Sequence, residues 1–274
     1  MKTAAYVQVQ REGKTRKLKR KRNIPLWIKG CALPAVILAV WQYIGSIRLV
    51  SANILPTPMA ILSSFYELTL SGELFSNMKI SVIRAALGFL LGGSLGLIFG
   101  ILTGFSKKTE AYIDPTLQML RTVPHLAVTP LFILWFGFDE ISKVLLIALG
   151  AFFPIYINTF LGIRSVDTKL FDVARVLEFS FKDKITKLIL PAALPNILLG
   201  VRLSLGIAWL GLVVAELMGS SAGIGYMIMD ARLYSLTDKV FVGIIIFAVV
   251  GKATDSLVRL FERKLLKWRD SFKG

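Results

Sequence analysis

Six stretches of mostly apolar residues decide what this 274-residue chain can fold into. An α-helix rises about 1.5 Å per residue, so roughly 20 apolar residues cross the hydrocarbon core of a bilayer. On that measure, spans are read at about 26–47, 82–104, 117–137, 141–163, 197–218 and 240–260. Inside lipid every backbone amide needs a partner within the protein, and a helix supplies one for each residue. Hydrophobic residues make up 55% of the chain, more than is usual for a soluble domain. The expected fold class is all-α: a polytopic membrane protein of about six transmembrane helices. The run at 26–47 exceeds the apolar core of a typical signal peptide and no A-x-A-like site follows it, so it reads as a retained helix.

A net charge of +16 on a soluble protein would suggest nucleic acid. Here the basic residues cluster in polar segments flanking the spans, where they set topology, and no nucleic-acid partner is implied. Segments 1–25, 105–116, 164–196 and 259–274 hold 23 Lys and Arg, against 5 in 48–80, 138–143 and 219–239. That imbalance predicts a multi-pass protein of the cell membrane with both termini, and segment 164–196, in the cytoplasm. The tail 1–25, with TRKLKRKR at its centre, is expected near anionic lipid head groups. The lone Cys31 excludes an intrachain disulfide. No G-x-x-x-x-G-K-[ST] loop is present to cradle a nucleotide, and one histidine and one cysteine make no metal or thiol site. With no nucleophile–base–orienter set either, the reading is of a chain that is not an enzyme, with no catalytic residues, no bound cofactor and no metal.

Several local patterns carry more. In 48–80 the turn and cap residues of LPTP and SGEL flank PMAILSSFYELTL, which predicts an interfacial helix on the outer side. Glycines at 88, 92, 96, 100 and 104 form a bare stripe along the second span, suited to close helix packing. In RTVPHLAVTP, Pro124 and Pro130 each lack a backbone donor and should kink or break the third span. Irregular backbone at membrane depth belongs against protein or a water-filled cavity, which points to a translocation path. His125 in that stretch suits either a hydrogen-bonded packing residue or a path-lining one. Of the charges within spans, Arg121, Arg202, Lys252 and Asp255 are placed toward the inner leaflet as structural groups that snorkel or pair. Arg84 and Glu216 are placed toward the outer side as candidate substrate contacts, with head-group anchoring and an interhelical pair as the bland alternatives.

Between the fourth and fifth spans lies a charged island, DVARVLEFSFKDKITKLILPAALP, at 172–195. Val173, Val176, Leu177, Phe181, Ile185 and Leu188 recur at three- and four-residue steps, as on an amphipathic helix, and Pro191 and Pro195 are expected to end the run. The pattern suits a helix lying on lipid and a helix gripped by a partner protein equally.

The island's spacing resembles the cytoplasmic signature of binding-protein-dependent ABC-transporter permeases: E-A-A, three residues, G, nine residues, I-x-L-P. Asp172, Val173 and Ala174 take the first three places, Glu178 the glycine, and Leu188, Ile189, Leu190 and Pro191 the last four. Glu178 is the departure that matters, since glycine enters positive φ at little cost and Glu does not, so a less sharp turn is expected. SVIRAALGF, DPTLQMLRTVPHLAVTPLFILWFG and GVRLSLGIAWLGLVVAE are similar to the aliphatic-sulfonate, taurine and nitrate branch, closest to the sulfonate permeases. The resemblance implies a type I ABC importer permease fold. It implies a homodimer docked on two copies of a cytoplasmic ATPase, which holds the ATP and Mg, and served by an extracytoplasmic substrate-binding protein. The ATPase-coupling residues would be Asp172, Val173, Ala174, Arg175, Leu177, Glu178, Leu190 and Pro191, and the substrate path would include Arg84, Pro124, His125 and Glu216. The implied divisions are a basic tail at 1–25, a first helix and outer segment at 26–81, a permease core at 82–262 with the coupling loop at about 164–196, and a basic C-terminus at 263–274. The expected cargo is a small anion, an aliphatic sulfonate first, with taurine, nitrate or a thiamine-precursor pyrimidine as alternatives. An ion-driven secondary carrier would instead show internal repeats and midplane charges, and neither is read here.

Overall fold

A computed structural model describes residues 26–124 and 127–268. The tail 1–25, His125 and the last six residues lie outside that range.

The chain opens with α1 (Leu26–Ser46), and α2 (Pro58–Leu70) coincides with the stretch read as an interfacial helix. Thr57 caps α2 by accepting a bond from the Ala60 amide at 3.1 Å, and Pro58 fills the first turn, where its missing N–H costs nothing. Next come α3 (Glu73–Phe105), α4 (Lys107–Arg121), α5 (Thr129–Phe136) and α6 (Glu140–Arg164). A short helix, α7 (Thr168–Val176), precedes α8 (Phe181–Asp183), which runs through a π-helical turn at Lys184–Ile189 into α9 (Leu190–Gly219). Two more helices, α10 (Ile224–Leu233) and α11 (Thr237–Leu265), complete the described fold. Among the described residues, four helical runs are long and apolar enough to cross a membrane: α3, α6, Phe181–Gly219 and α11.

The third span breaks, as expected: α4 stops at Arg121, the chain turns through Thr122–Pro124, and α5 is eight residues long. Two expectations about proline need correction. Pro130 does not break a helix but starts one, lying in the first turn of α5. Nor do Pro191 and Pro195 end the island, since both lie within the opening turns of α9. The π turn directly before Pro191 is wider than an α turn, which gives the ring room where it would otherwise press on the preceding turn.

The centre of the fold is α6, which packs mainly on α3 and α9. Its buried face carries Leu146, Ile147, Ala151, Ile155 and Tyr156. Against it lies the glycine stripe of α3. A Cβ at Gly88 would stand 2.5 Å from the Ile147 side chain, one at Gly92 would strike the Ala148 carbonyl, and one at Gly96 that of Phe152. At Gly100 the obstacle is the Tyr156 carbonyl at 2.8 Å, and at Gly104 it is Ile163 at 2.9 Å. With lipid outside rather than water, such close van der Waals contact replaces the hydrophobic effect as the force between helices. On the other side, Gly200, Ala208 and Leu212 of α9 press on α6, and the Ser204 hydroxyl donates to the Ala151 carbonyl at 2.6 Å. Large apolar side chains such as Leu90, Ile98 and Leu210 point outward, as a lipid-facing or partner-facing surface requires.

The stripe makes a direct comparison possible. Gly92→Ala should destabilise the detergent-solubilised protein by about 1–3 kcal/mol, because backbone stands where the methyl must go. Gly206→Ala in α9, whose Cβ meets nothing within 4 Å, should leave the thermal midpoint unchanged or raise it. Equal midpoints for the two variants would refute the packing role of the stripe.

Candidate functional site

The island folds as two short helices meeting at a sharp turn. Asp167 starts α7 by accepting from the Lys169 amide at 2.9 Å, and Ser180 starts α8 by accepting from the Asp183 amide at 3.2 Å. Between them α7 ends in a Schellman motif: the Phe179 amide donates to the Ala174 carbonyl at 2.9 Å, and the Glu178 amide to the Arg175 carbonyl at 3.1 Å. That geometry requires a left-handed residue, and Glu178 supplies it at φ +49°. The expectation of a blunter turn is therefore overturned: the turn keeps the shape glycine would give it, with glutamate carrying the strain.

The exposed apolar side chains of this hairpin form a knuckle. Val173 and Leu177 are exposed, Val176 is 83% exposed and Phe181 is 77% exposed. Asp172 and Arg175 stand beside them on the surface, paired at 3.6 Å. Ala174 is a correction: at 1% exposure it lies on the inner side of α7, which packs on the π-helical segment, so it seats the helix rather than presenting a docking surface. Leu190 is exposed and Pro191 half-buried at the root of the hairpin.

Arg84 and Glu216 are not on an open path. They are 2% and 1% exposed and meet at 2.8 Å. Around them, Ser81 donates to Glu216 at 2.7 Å, the Gly225 amide donates to Glu216 at 2.9 Å, and Arg84 Nε donates to Glu140 at 2.6 Å. Arg84 also donates to the Ala222 carbonyl at 2.6 Å. This network ties α3, α6, α9 and the start of α10 together, so of the alternatives weighed the interhelical pair is what forms. Glu140 was missed because it stands in a short polar connection, and Gly223 and Gly225 because the space they leave for the Glu216 carboxylate has no signature in sequence. The inner charges do pair: Asp255 meets Arg202 at 2.8 Å, Arg259 at 2.9 Å and Lys252 at 3.8 Å.

A second polar connection holds α4. Ser106 caps it, the Tyr156 hydroxyl of α6 donates to Asp114 at 2.6 Å, and Arg164 pairs with Glu110. Arg121 falls two turns beyond Asp114 on the same face and reaches the middle of α6, beside Phe153 and Pro154. It is thus deeper than the inner-leaflet position expected of it. Pro124 follows in the non-helical stretch.

Residues 92–267, more than half of the chain, match the family model described as binding-protein-dependent transport system inner membrane component. The SsuC protein of Bacillus subtilis (strain 168), named as an aliphatic sulfonates transport permease, is 75% identical over 248 residues, covering 90% of each chain. Its namesake from Escherichia coli (strain K12) is 48% identical over 240 residues, covering 88% of this chain and 91% of its own. In three dimensions, a crystal structure of an amino acid ABC transporter with histidines is similar over 73% of this chain and 97% of that one, with a TM-score of 0.61 at 19% identity. That likeness is one of fold, and the sequence matches identify the lineage: the chain belongs to the binding-protein-dependent transport system inner membrane components, as a non-enzymatic membrane permease subunit with the type I ABC importer fold.

Proposed function

We propose that this chain forms the translocation path of an ATP-driven importer of aliphatic sulfonates in a bacterial inner membrane, with both termini cytoplasmic. Two copies pair, and each docks on one copy of an ATPase that holds the ATP and Mg. A substrate-binding protein delivers cargo from the opposite side. The substrate class rests on the likeness to the two SsuC permeases.

The observation that carries the mechanism is the exposed knuckle of Val173, Val176, Leu177 and Phe181, held on a rigid left-handed turn. An apolar ridge of this kind on a short helix suits a groove in a partner, with Asp172, Arg175 and Glu178 at its polar rim. Leu190 and Pro191 form the root through which the ridge continues into α9. When ATP draws two ATPases together, the ridges move with them, and the motion passes into the membrane helices. The path then opens toward the binding protein, and hydrolysis resets it. Pro124 and the irregular backbone around it lie along that path in this reading. The divisions at 1–25, 26–81, 82–262 and 263–274 correspond to tail, accessory helices, permease core and C-terminal extension.

Two measurements test the proposal. Val176→Asp places a charge on the ridge without touching the interior, so it should abolish copurification of the ATPase while the permease stays folded. Glu178→Gly should preserve docking and relieve strain of about 1 kcal/mol at the turn; ATPase retention by the first variant, or its loss in the second, would count against the ridge. For the cargo, titration calorimetry of the cognate binding protein should show tight binding of alkanesulfonates and growth of a permease-deletion strain on them should fail. Preference for taurine, nitrate or a thiamine-precursor pyrimidine would leave the mechanism and replace the substrate.

A further inference from the structure

At the middle of α6 a cavity of about 250 Å³ opens between α4, α6 and α9. Leu149, Phe153 and Ile157 of α6 and Ile207 of α9 make its apolar wall, and Arg121 is the one charged residue in its lining. Phe153 lies near the midpoint of α6, roughly 16–20 Å from either end at 1.5 Å per residue. Arg121 is therefore a cation at mid-membrane depth, and it is exposed.

Among the described residues, no carboxylate comes within ion-pair distance of Arg121. Within the long membrane-crossing helices, Arg84, Arg164, Arg202 and Arg259 each have an acidic partner, and Arg263, which has none among the described residues, stands in the last turn of α11. An unpaired guanidinium at that depth must face water or an anion, because lipid offers it neither. Nor is its position loose. The Tyr156–Asp114 hydrogen bond and the Arg164–Glu110 pair fix α4 to α6, and Arg121 continues the same face of α4. At Pro154 the missing amide also leaves the Gly150 carbonyl without its helical donor, and both residues line the cavity. The apolar wall beside one guanidinium is the shape of an amphiphile with a single anionic head.

We infer that this cavity is a transit site for the alkanesulfonate itself, with Arg121 binding the sulfonate oxygens and Leu149, Phe153, Ile157 and Ile207 receiving the alkyl chain. This rests on the sulfonate reading above and locates a substrate-contacting residue for it. Three sulfonate oxygens match the donor fork of arginine, which lysine reproduces only as a point charge. The volume falls just below the range of about 300–1,000 Å³ typical of drug-sized ligand sites, which suits a small organic anion held briefly.

The test uses the complete transporter, with its ATPase and binding protein, in phosphatidylethanolamine–phosphatidylglycerol vesicles, and ethanesulfonate and octanesulfonate as probes. Arg121→Met should lower uptake of both at sub-saturating concentration by about tenfold or more. ATPase copurification and ATPase stimulation by the loaded binding protein should stay at wild-type levels, which a merely structural role would not permit. Arg121→Lys should restore part of the uptake. Ile207→Phe fills the wall without touching the guanidinium and should depress octanesulfonate uptake severalfold more than ethanesulfonate uptake, which keeps the inference testable even where Arg121→Met fails to assemble. Wild-type import with an unaffected Arg121→Met, or an unchanged chain-length profile in Ile207→Phe, overturns the transit site alone. Failure of the wild type to import either sulfonate overturns the substrate reading, and this one with it.

Discussion

Everything in this fold hangs on how closely α3 can approach α6. The five glycines from Gly88 to Gly104 leave no side chain on the contact line, and backbone or side chains of α6 occupy the space a Cβ would need. Backbone then lies against backbone, where many weak dispersion contacts add up without any help from water. Because α6 is gripped this way on one flank, its other flank is free to hold α9, and its mid-length is free to face a cavity. A single methyl in the stripe would move α6, and with it both of the surfaces that α6 presents.

Charges inside the membrane complete the arrangement by being sorted. Arg84 and Glu216 are sequestered with Ser81, Glu140 and backbone amides, each charge satisfied by partners from a different helix. Removing one partner of such a buried pair typically costs about 3–5 kcal/mol, since it strands the other. Asp255 gathers three cations at the far end of α11 in the same manner. Arg121 stands outside both clusters, which is what distinguishes a charge kept for a passing ligand from charges kept for the fold.

Much of this was legible in sequence for plain physical reasons. Apolar run length located α3, α6, α9 and α11, and the four-residue glycine period marked the α3 seam. The turn at Glu178 was implied only by the resemblance of 172–191 to the permease signature, because the apolar periodicity alone reads as one amphipathic helix. What stayed hidden depends on three-dimensional company. Pro191 and Pro195 look like terminators until a π turn makes room for them. Ala174 looks like part of an amphipathic surface until α7 is seated and the alanine faces inward. Arg84 and Glu216 sit 132 residues apart, and nothing local says that they meet. Arg121 was assigned a depth by counting from a span that the structure splits in two.

The helix that leaves the island is continuous from Phe181 to Gly219, 39 residues without a loop. At 1.5 Å per residue it is a strut of roughly 55–60 Å. A small tilt imposed at its foot becomes a larger sideways excursion at its far end, and the middle, where Ile207 stands, moves by an intermediate amount. Near its foot the strut departs from regular α winding, at the π turn Lys184–Ile189 and at Pro191 and Pro195 just beyond it. The strut is therefore a lever whose only irregular winding lies near the handle, so a displacement there is carried along its regular length to the far side.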